Sequence, residues 1–595
     1  MSMFRLMFKF IKGNIKYFIT SLILIVFLNY MRSLVPLFIS KVFAILGQDN
    51  GIKLPFYIDN LFDGNSIAVQ LTICAAAIVI VAIIRDILNL SLDYFIALSS
   101  EGMGYNMQTG FYNHVQDLPY SYLNHCETGD LIQRSIQDVQ RCKNFISSQF
   151  KMFVTNIAQI VIYSTQMVLI NWELSLYVLA LLPILLIVTF FYFKYQNPYW
   201  DKLEDNEGKL MNVVQENYTG IRVVKAFANE DYEIKKFNKK MDELQESWDK
   251  PNHLMSTFWM CSDMVSFSME LLTFILGLVF ISHGKMVFSE LIGLFLFVQS
   301  IMWPMKNLGR LLASFDRTNI SARRILEVFD NEDEYVDDHS TLEPEIKGDI
   351  VFKDVSFKFE DGNIDTIKDI NIHIKPGQTI ALVGKTGCGK STLVCMLNRM
   401  LEPTSGDIFI DGVNIKDIKK KYLRKHVGIV LQEPFLFSKT IKENIGITEY
   451  DPSLSEIKKA AIVASVDNDI EAFEKGYDTV VGERGVTLSG GQKQRVSIAR
   501  TILENKTILI FDDSLSAVDT ETDVKIRKSL HDVNKLSTTI IITHRVQTAK
   551  DADLILVMED GRIVDSGTHN ELISRPGLYQ TINSIQSFDA KGGVQ

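Results

Sequence analysis

The chain has 595 residues and a formal net charge of −10; it is too long for a single hydrophobic core, so several domains are expected, and its acidic balance gives no electrostatic ground for a nucleic-acid partner. Apolar residues are unevenly spread, with long uncharged runs before residue 310 and a mixed, soluble-looking sequence after 345. Six cysteines (Cys74, Cys126, Cys142, Cys261, Cys388, Cys395) are scattered without metal-ligand spacing and read as reduced thiols.

Met3 to Lys16 is short, aromatic and basic, with Phe4, Phe8 and Phe10 set against Arg5, Lys9 and Lys12, which predicts an amphipathic helix lying along the membrane face. No small-residue cleavage site follows the first apolar run, so no removable signal peptide is expected, nor an extra domain before the first span. Six apolar segments follow, near Tyr17 to Phe43, Ser66 to Asn89, Phe145 to Ile170, Leu174 to Phe193, Phe258 to Ile281 and Leu291 to Asn307. Each is about 17–25 residues or slightly longer, enough to cross roughly 30 Å of hydrocarbon as a helix.

Lys and Arg orient these spans. Arg134, Arg141, Lys143, Lys202, Lys209, Arg222, Lys225, Lys235, Lys236, Lys239, Lys240 and Lys250 fall on one side; Lys41, Lys53 and Lys285 are nearly all the other side holds. Both termini are therefore expected in the cytosol. The long connections between spans two and three and between four and five keep a helical pattern, which predicts helices continuing past the bilayer. Turn signals at Leu118-Pro119-Tyr120 to Thr128-Gly129-Asp130 and at Asn217-Tyr218-Thr219-Gly220 mark the tips of the resulting hairpins. The acidic, unperiodic stretch from Asn331 to Glu345 has the composition of a linker.

After it, strand-like runs (Ile350 to Phe352, Ile408 to Ile410, Gly428 to Leu431, Ile508 to Phe511, Thr538 to Ile542, Leu554 to Met558) alternate with helical stretches, the pattern of an α/β core. Thr379 to Val383 is a further apolar strand. It runs into Gly384-Lys385-Thr386-Gly387-Cys388-Gly389-Lys390-Ser391-Thr392 and then into a helix through Leu393, Val394, Met396 and Leu397. Glycines there let successive N–H groups converge on phosphate oxygens at a helix N-terminus. Lys390 is placed to reach the β/γ-phosphates and the Ser391 hydroxyl to sit on Mg²⁺. Thr507 to Asp512 is an apolar strand ending in a carboxylate, the arrangement that holds Mg²⁺ opposite such a loop. Leu488-Ser489-Gly490-Gly491-Gln492 opens another helix, continuing through Gln494, Arg495, Ser497 and Ala499, and supplies a second anion site. One chain rarely needs both for one nucleotide.

In this order the motifs resemble a half-transporter of the ATP-binding cassette (ABC) exporter family, over nearly the whole chain. The resemblance implies a membrane α-helical domain of six transmembrane helices extending into the cytosol (1–330, including the amphipathic helix), a linker (331–345), an α/β P-loop nucleotide-binding domain (346–585) and a C-terminal tail (586–595). It implies that Phe359 stacks on adenine, where the family more often has Tyr. Gln432 would contact Mg²⁺ and the attacking water, and His544 would contact the γ-phosphate. Glu483, in Val481-Gly482-Glu483-Arg484-Gly485, resembles the segment touching the transmembrane hairpins, and Asp519, in Ser516-Ala517-Val518-Asp519, the loop joining two cassettes.

Because the P-loop and LSGGQ of one chain would face opposite ways across a dimer, two ATP molecules are expected to join two cassettes. ATP binding then closes them, and the hairpin tips carry that motion into the spans. The implied function is ATP-driven export of an amphipathic drug-like or lipid-like compound across the cell membrane, with a second half-transporter, the bilayer and the substrate as partners. An ATP-gated membrane regulator without transport is the alternative in another class.

One position departs from the family pattern. After Asp512 the family ordinarily has Glu as the general base, whereas this chain has Asp513. Its shorter reach predicts a slow ATP site and favours a heterodimer, with a homodimer of two slow sites as the alternative. Cys388 lies inside the loop, so a maleimide adduct is expected to exclude nucleotide and ATP to protect.

For the substrate, spans five and six contribute Trp259, Met264, Phe267, Met269, Phe295, Phe297, Met302, Trp303 and Met305, a soft surface suited to varied ligands or to plain helix packing. Arg32, in span one, and Glu270, in span five, share a depth of about 11–14 residues from the outer helix ends and are expected to pair. Asp263, two turns below Glu270, is expected to line the cavity.

Overall fold

The computed structural model describes residues 2–49, 51–52, 54, 62, 65–335, 342–359, 364–448, 451–516, 518–533 and 537–592. These form two compact units, one of residues 1–116 and 127–331 and one of 117–126 and 332–595.

The first unit is helical. Helix α1 (Ser2–Phe10) buries Met3, Leu6 and Met7. The spans lie in α2 (Ile15–Gly47), α3 (Ile67–Asp117), α5 (Thr128–Ile170), α6 (Trp172–Thr219), α8 (Glu230–Ser282) and α9 (Phe288–Phe329), six helices long and apolar enough to cross a membrane. Between them come the short α4 (Tyr120–His125), which belongs to the other unit, and α7 (Ile221–Ala226). Most of these helices run well past the apolar stretch that marks them, so the two long connections are helical extensions, as their periodicity predicts. Local chemistry sets the breaks. Pro119 precedes α4 with extended backbone, and Asn171 Oδ1 accepts from Leu174 N at 3.1 Å, starting the fourth span directly after the third. Helix α1 is fastened to the end of α9 by Phe10 against Phe329 (centroids 5.2 Å apart) and by Arg5 with Asp330 at 3.2 Å.

The second unit holds two sheets. The strands are β1 (Ile350–Phe357), β2 (Ile367–Ile374), β3 (Thr379–Gly384), β4 (Ser405–Ile410), β5 (Val413–Asn414), β6 (Val427–Val430), β7 (Ile508–Asp512), β8 (Thr538–Ile542), β9 (Leu554–Glu559) and β10 (Arg562–Gly567). An antiparallel sheet is ordered β2-β1-β4-β5, and a six-stranded sheet β10-β9-β3-β8-β7-β6 is parallel except for its β10 edge. Alternation along β7 divides the core. Ile508 and Ile510 face a cluster shared with the antiparallel sheet, while Leu509 and Phe511 face a cluster built with helices from residues 441–530. Register places Leu382 beside Ile542, and Ile542 beside Asp512. The C-terminal ends of β3, β8 and β7 therefore open at one edge, where ligands of open parallel sheets bind.

Two expectations of composition differ here. The described part of the 331–345 stretch is bound rather than free: Glu334 accepts from both terminal nitrogens of Arg424 at 2.5 and 3.0 Å, and Tyr422 Oη donates to Pro344 O at 2.9 Å. Glu334 with Arg424 and Glu343 with Lys419 serve as counterions. At the other end, the last helix continues through the expected tail to Gly592.

Candidate nucleotide site

The loop after β3 is shaped by close backbone approach. A Cβ on Gly384 would lie 2.2 Å from Met558 O, and one on Gly389, at φ 100°, would lie 2.6 Å from the Ile367 side chain. Only glycine fits either position. Gly389 starts helix α10 (Lys390–Leu397), so the free N–H groups of its first turn point into the loop made by Gly384, Lys385, Thr386, Gly387, Cys388 and Gly389, ahead of Ser391 and Thr392. Lys390 is buried, and its Nζ donates to Gly384 O at 3.0 Å and to Lys385 O at 2.8 Å.

Across the sheet edge, Ser391 Oγ donates to Asp512 Oδ1 at 2.9 Å. Burial pushes the Asp512 carboxyl above the usual aspartate range. Asp513 pushes it further, while the Ser391 donor, Lys390 and His544 oppose the rise. Ser391, Lys390, Asp513 and His544 thus converge on one carboxylate. Asp513 has left-handed backbone, φ 46°. Its N–H donates to Ile542 O at 3.1 Å, and its carbonyl accepts from Ser516 N and Oγ at 3.2 and 2.7 Å. The backbone is thereby held while Oδ1 is buried without a partner among the described residues.

Gln432 is exposed on the loop after β6, which is tied down next door by Gln494 Nε2 donating to Leu431 O at 3.3 Å. Phe359 is half-buried with its ring edge-on to Phe357, centroids 4.8 Å apart. No cluster of three His, Cys, Asp or Glu among the described residues could hold a metal unaided. A Mg²⁺ that arrives with phosphates needs less, because phosphate and water oxygens fill most of its shell. Ser391, Gln432 and Asp512 fit that requirement.

A second candidate anion site is the start of another helix. Ser489 caps helix α11 (Gly490–Ile502) reciprocally, its Oγ accepting from Gln492 N at 3.3 Å while Ser489 N donates to Gln492 Oε1 at 3.0 Å. Ser489, Gly490 and the first turn through Gly491 stay open to solvent. Gln492 Nε2 donates to Asp469, which also pairs with Arg495 at 2.8 Å and so fixes the start of the helix.

The family described as "ABC transporter transmembrane region" matches residues 18–305, and "ABC transporter" matches residues 367–516. The Bacillus subtilis protein "Uncharacterized ABC transporter ATP-binding protein YwjA" is 31% identical over 570 residues, covering 94% of this chain and 98% of that one. The chain is an ABC exporter half-transporter. It is also similar to "Putative multidrug export ATP-binding/permease protein YgaD" of Bacillus subtilis, 31% identical over 581 residues, with 94% and 99% covered. In fold it matches a solved bacterial Atm1-family ABC exporter with ATP bound (TM-score 0.76, 24% identity, 96% and 99% covered). Like its family, the half-transporter has an ATPase domain whose hydrolysis is coupled to transport, and it is a multi-pass membrane protein.

Two residues of this exporter's site carry no sequence signal of their own. Arg545 donates to Val518 O at 3.1 Å and Ser516 O at 2.6 Å, strapping the segment before Asp519 to the His544 turn. Gln586 donates to His544 O at 2.5 Å and accepts from Val546 N at 2.9 Å. Only the proximity of Arg545 to His544 hinted at the first; the second comes from a helix expected to be tail. Asp519 is exposed and its Oδ2 accepts from Thr522 N at 3.0 Å, which holds its carboxyl below the usual range; Ala517 lies outside the described residues. Glu483 is exposed on a tight turn, Glu483–Gly485. In the first hairpin tip, Tyr120 packs against the core of the nucleotide-binding unit.

Two expectations about single residues are corrected. Cys388 is buried in the core with 7% exposure, so its thiol does not line the open face of the loop. Arg32 and Glu270 do not pair: neither side chain has an ion pair or hydrogen bond among the described residues. Counting residues from helix ends fixes height, not azimuth, and Asp263 instead meets Lys306 Nζ at 2.6 Å. The aromatic and methionine set, open to either reading, divides, with Phe295 half-buried. Met269, Phe297, Met302 and Met305 are buried packing, while Trp259, Met264, Phe267 and Trp303 are exposed.

Proposed function

We propose that this half-transporter exports amphipathic small molecules, drug-like or lipid-like, across the cytoplasmic membrane, as the subunit of a heterodimer whose own ATP site is slow. The observation that carries the asymmetry is Asp513. Its backbone is fixed by Ile542 and Ser516, so the side chain cannot make up the methylene it lacks by shifting the chain. A reach shorter by about 1.5 Å leaves a general base short of the attacking water, and misplacement of that order costs about 10²-fold.

In this reading the loop from Gly384 to Gly389 cradles the phosphates of ATP and Lys390 leaves its carbonyl partners for the β/γ-phosphates. Mg²⁺, when bound, neutralises charge on the β- and γ-oxygens. Ser391, Gln432 and Asp512 would hold it, Asp513 would orient water weakly, His544 would contact the γ-phosphate and Phe359 would meet adenine. Ser489, Gly490, Gly491 and Gln492 serve the nucleotide held by the partner, and Glu483 and Asp519 transmit closure to the hairpins and between cassettes. Support comes from the open first turn of α11, which no carboxylate among the described residues of its own unit caps, and from the Lys and Arg distribution, which favours cytosolic termini. The word "multidrug" in the name of a relative supports the substrate class.

Inverted vesicles from cells expressing the chain with a candidate partner test this. Accumulation of an amphipathic dye should need ATP and both chains; flux with the chain alone would overturn the heterodimer, and ligand-stimulated ATPase without flux would overturn transport.

A further inference from the structure

A cavity of about 500 Å³ opens among α2, α3, α5 and α9, with Arg32 on its wall. It is lined by Arg32, Arg85, Asp86, Asn89, Tyr163 and Ser300. Val35, Ile39 and Leu296 give it an apolar wall. We infer that this cavity binds the anionic head group of an amphiphile, with the tail along the apolar wall; the inference rests on the exporter reading above and names its substrate class.

Charge carries the argument. Arg85 pairs with its neighbour Asp86 at 2.9 Å, which leaves the Arg32 guanidinium without a side-chain partner among the described residues and the cavity with one excess positive charge. An Arg inside a span is costly unless it meets water, a counter-charge or a ligand. Ser300 lies about 18 Å along α9 from Phe288 and Tyr163 about 10 Å along α5 from Ile170, while Arg85 and Asn89 lie about 27 and 33 Å along α3 from Ile67, so the cavity reaches from within the spans to the far end of the second. The two acidic candidates, Asp263 and Glu270, are not among its lining residues. A cation entering here would face two guanidinium groups against the single Asp86 carboxylate, already paired to Arg85; a carboxylate, phosphate or sulfonate finds a planar donor fork in Arg32, with further donors from Asn89 and Tyr163. The apolar wall accepts a hydrocarbon or ring system beside them.

Direct binding tests this without ATP. The full chain with its partner, in phosphatidylcholine nanodiscs, is titrated with a dansylated fatty acid and with the methyl ester of the same acid. The acid should bind at least about tenfold more tightly than the ester, as expected for a desolvated charge pair. Arg32→Gln and Arg85→Gln should each erase that preference while leaving ester binding intact, and Asp86→Asn should strengthen acid binding several-fold. Displacement of the acid by phosphatidylglycerol in the nanodisc would make a lipid head group the resident ligand; no displacement would make it a free amphiphile, and both uphold an anion site. Equal affinity for acid and ester, or a preference that survives both arginine substitutions and is indifferent to Asp86→Asn, overturns it. ATP-driven flux of a cationic dye with no acid preference would sink this site and spare the exporter. Acid binding without flux of any dye would do the reverse.

Discussion

Lys306 Nζ meets Asp263 Oδ1 at 2.6 Å, joining α8 to α9 inside the membrane unit. The lysine side chain is 9% exposed and the aspartate 49%, so the cation depends on its partner more than the anion does. Breaking a wholly buried pair costs about 3–5 kcal/mol, and with Asp263 half in the open about 2–3 is expected. Asp263→Asn should therefore lower the unfolding temperature of the purified protein, and adding Lys306→Met should recover most of the loss. A fall that the second substitution deepens would mean that Lys306 has another essential partner.

Thiol labelling reads the loop. Cys126 and Cys261 are partly exposed, whereas Cys74, Cys142, Cys388 and Cys395 are buried. Burial also pushes the Cys395 thiol up to about 11, which removes its thiolate at neutral pH. Maleimide should modify Cys126 and Cys261 first and leave ATP binding intact at that stage. Rapid loss of ATP binding, mapped to Cys388, would contradict its placement in the core.

Proton competition should be visible in nucleotide affinity. Asp512 is raised above the ordinary aspartate range, so it takes up a proton at a higher pH than a free aspartate does. Affinity for ATP with Mg²⁺ should therefore begin to fall on acidification before an ordinary carboxylate would titrate, while ATP without Mg²⁺ should follow only the protonation of its own phosphates. For stability the sign is opposite to that of a salt-bridged aspartate. The raised group costs stability above its unfolded pKa, and the cost vanishes below it. Asp512→Asn should accordingly raise the unfolding temperature of the nucleotide-free protein at pH 7.5. Isothermal titration and differential scanning fluorimetry across pH check the two halves.

Gln586 holds the His544 turn through two hydrogen bonds. Removing them with Gln586→Ala gives up about 1–3 kcal/mol of local order. The turnover of the assembled transporter should fall several-fold, with little change in the ATP concentration giving half-maximal rate. An unchanged rate would show that the C-terminal helix does not position the turn.

Much of this was legible because the signals are local. Apolar runs of bilayer length locate the spans, and the loop from Gly384 to Thr392 announces itself through the strand before it and the helix after it. What stayed hidden depends on azimuth or distance. Arg85 and Asp86 sit in an apolar stretch long enough to be a span, and only the packing of α2 against its neighbours turns them toward Arg32's cavity. Strand β2 was masked by Lys368, Asp369 and His373 and by a break in its alternation, where Asp369 takes left-handed backbone at φ 50°; β10 is a charged edge strand. Glu334 looked like linker because its partner Arg424 lies 90 residues on.

The central claim is that Asp513 makes this chain's ATP site slow, and ATP turnover measured for the chain alone and with its partner tests it most directly. The account predicts little turnover by the lone chain. In the heterodimer, Asp513→Glu should raise the rate, and replacing the general base of the partner's own site should abolish nearly all of it. Robust turnover by the lone chain, unchanged by Asp513→Ala, would contradict the account.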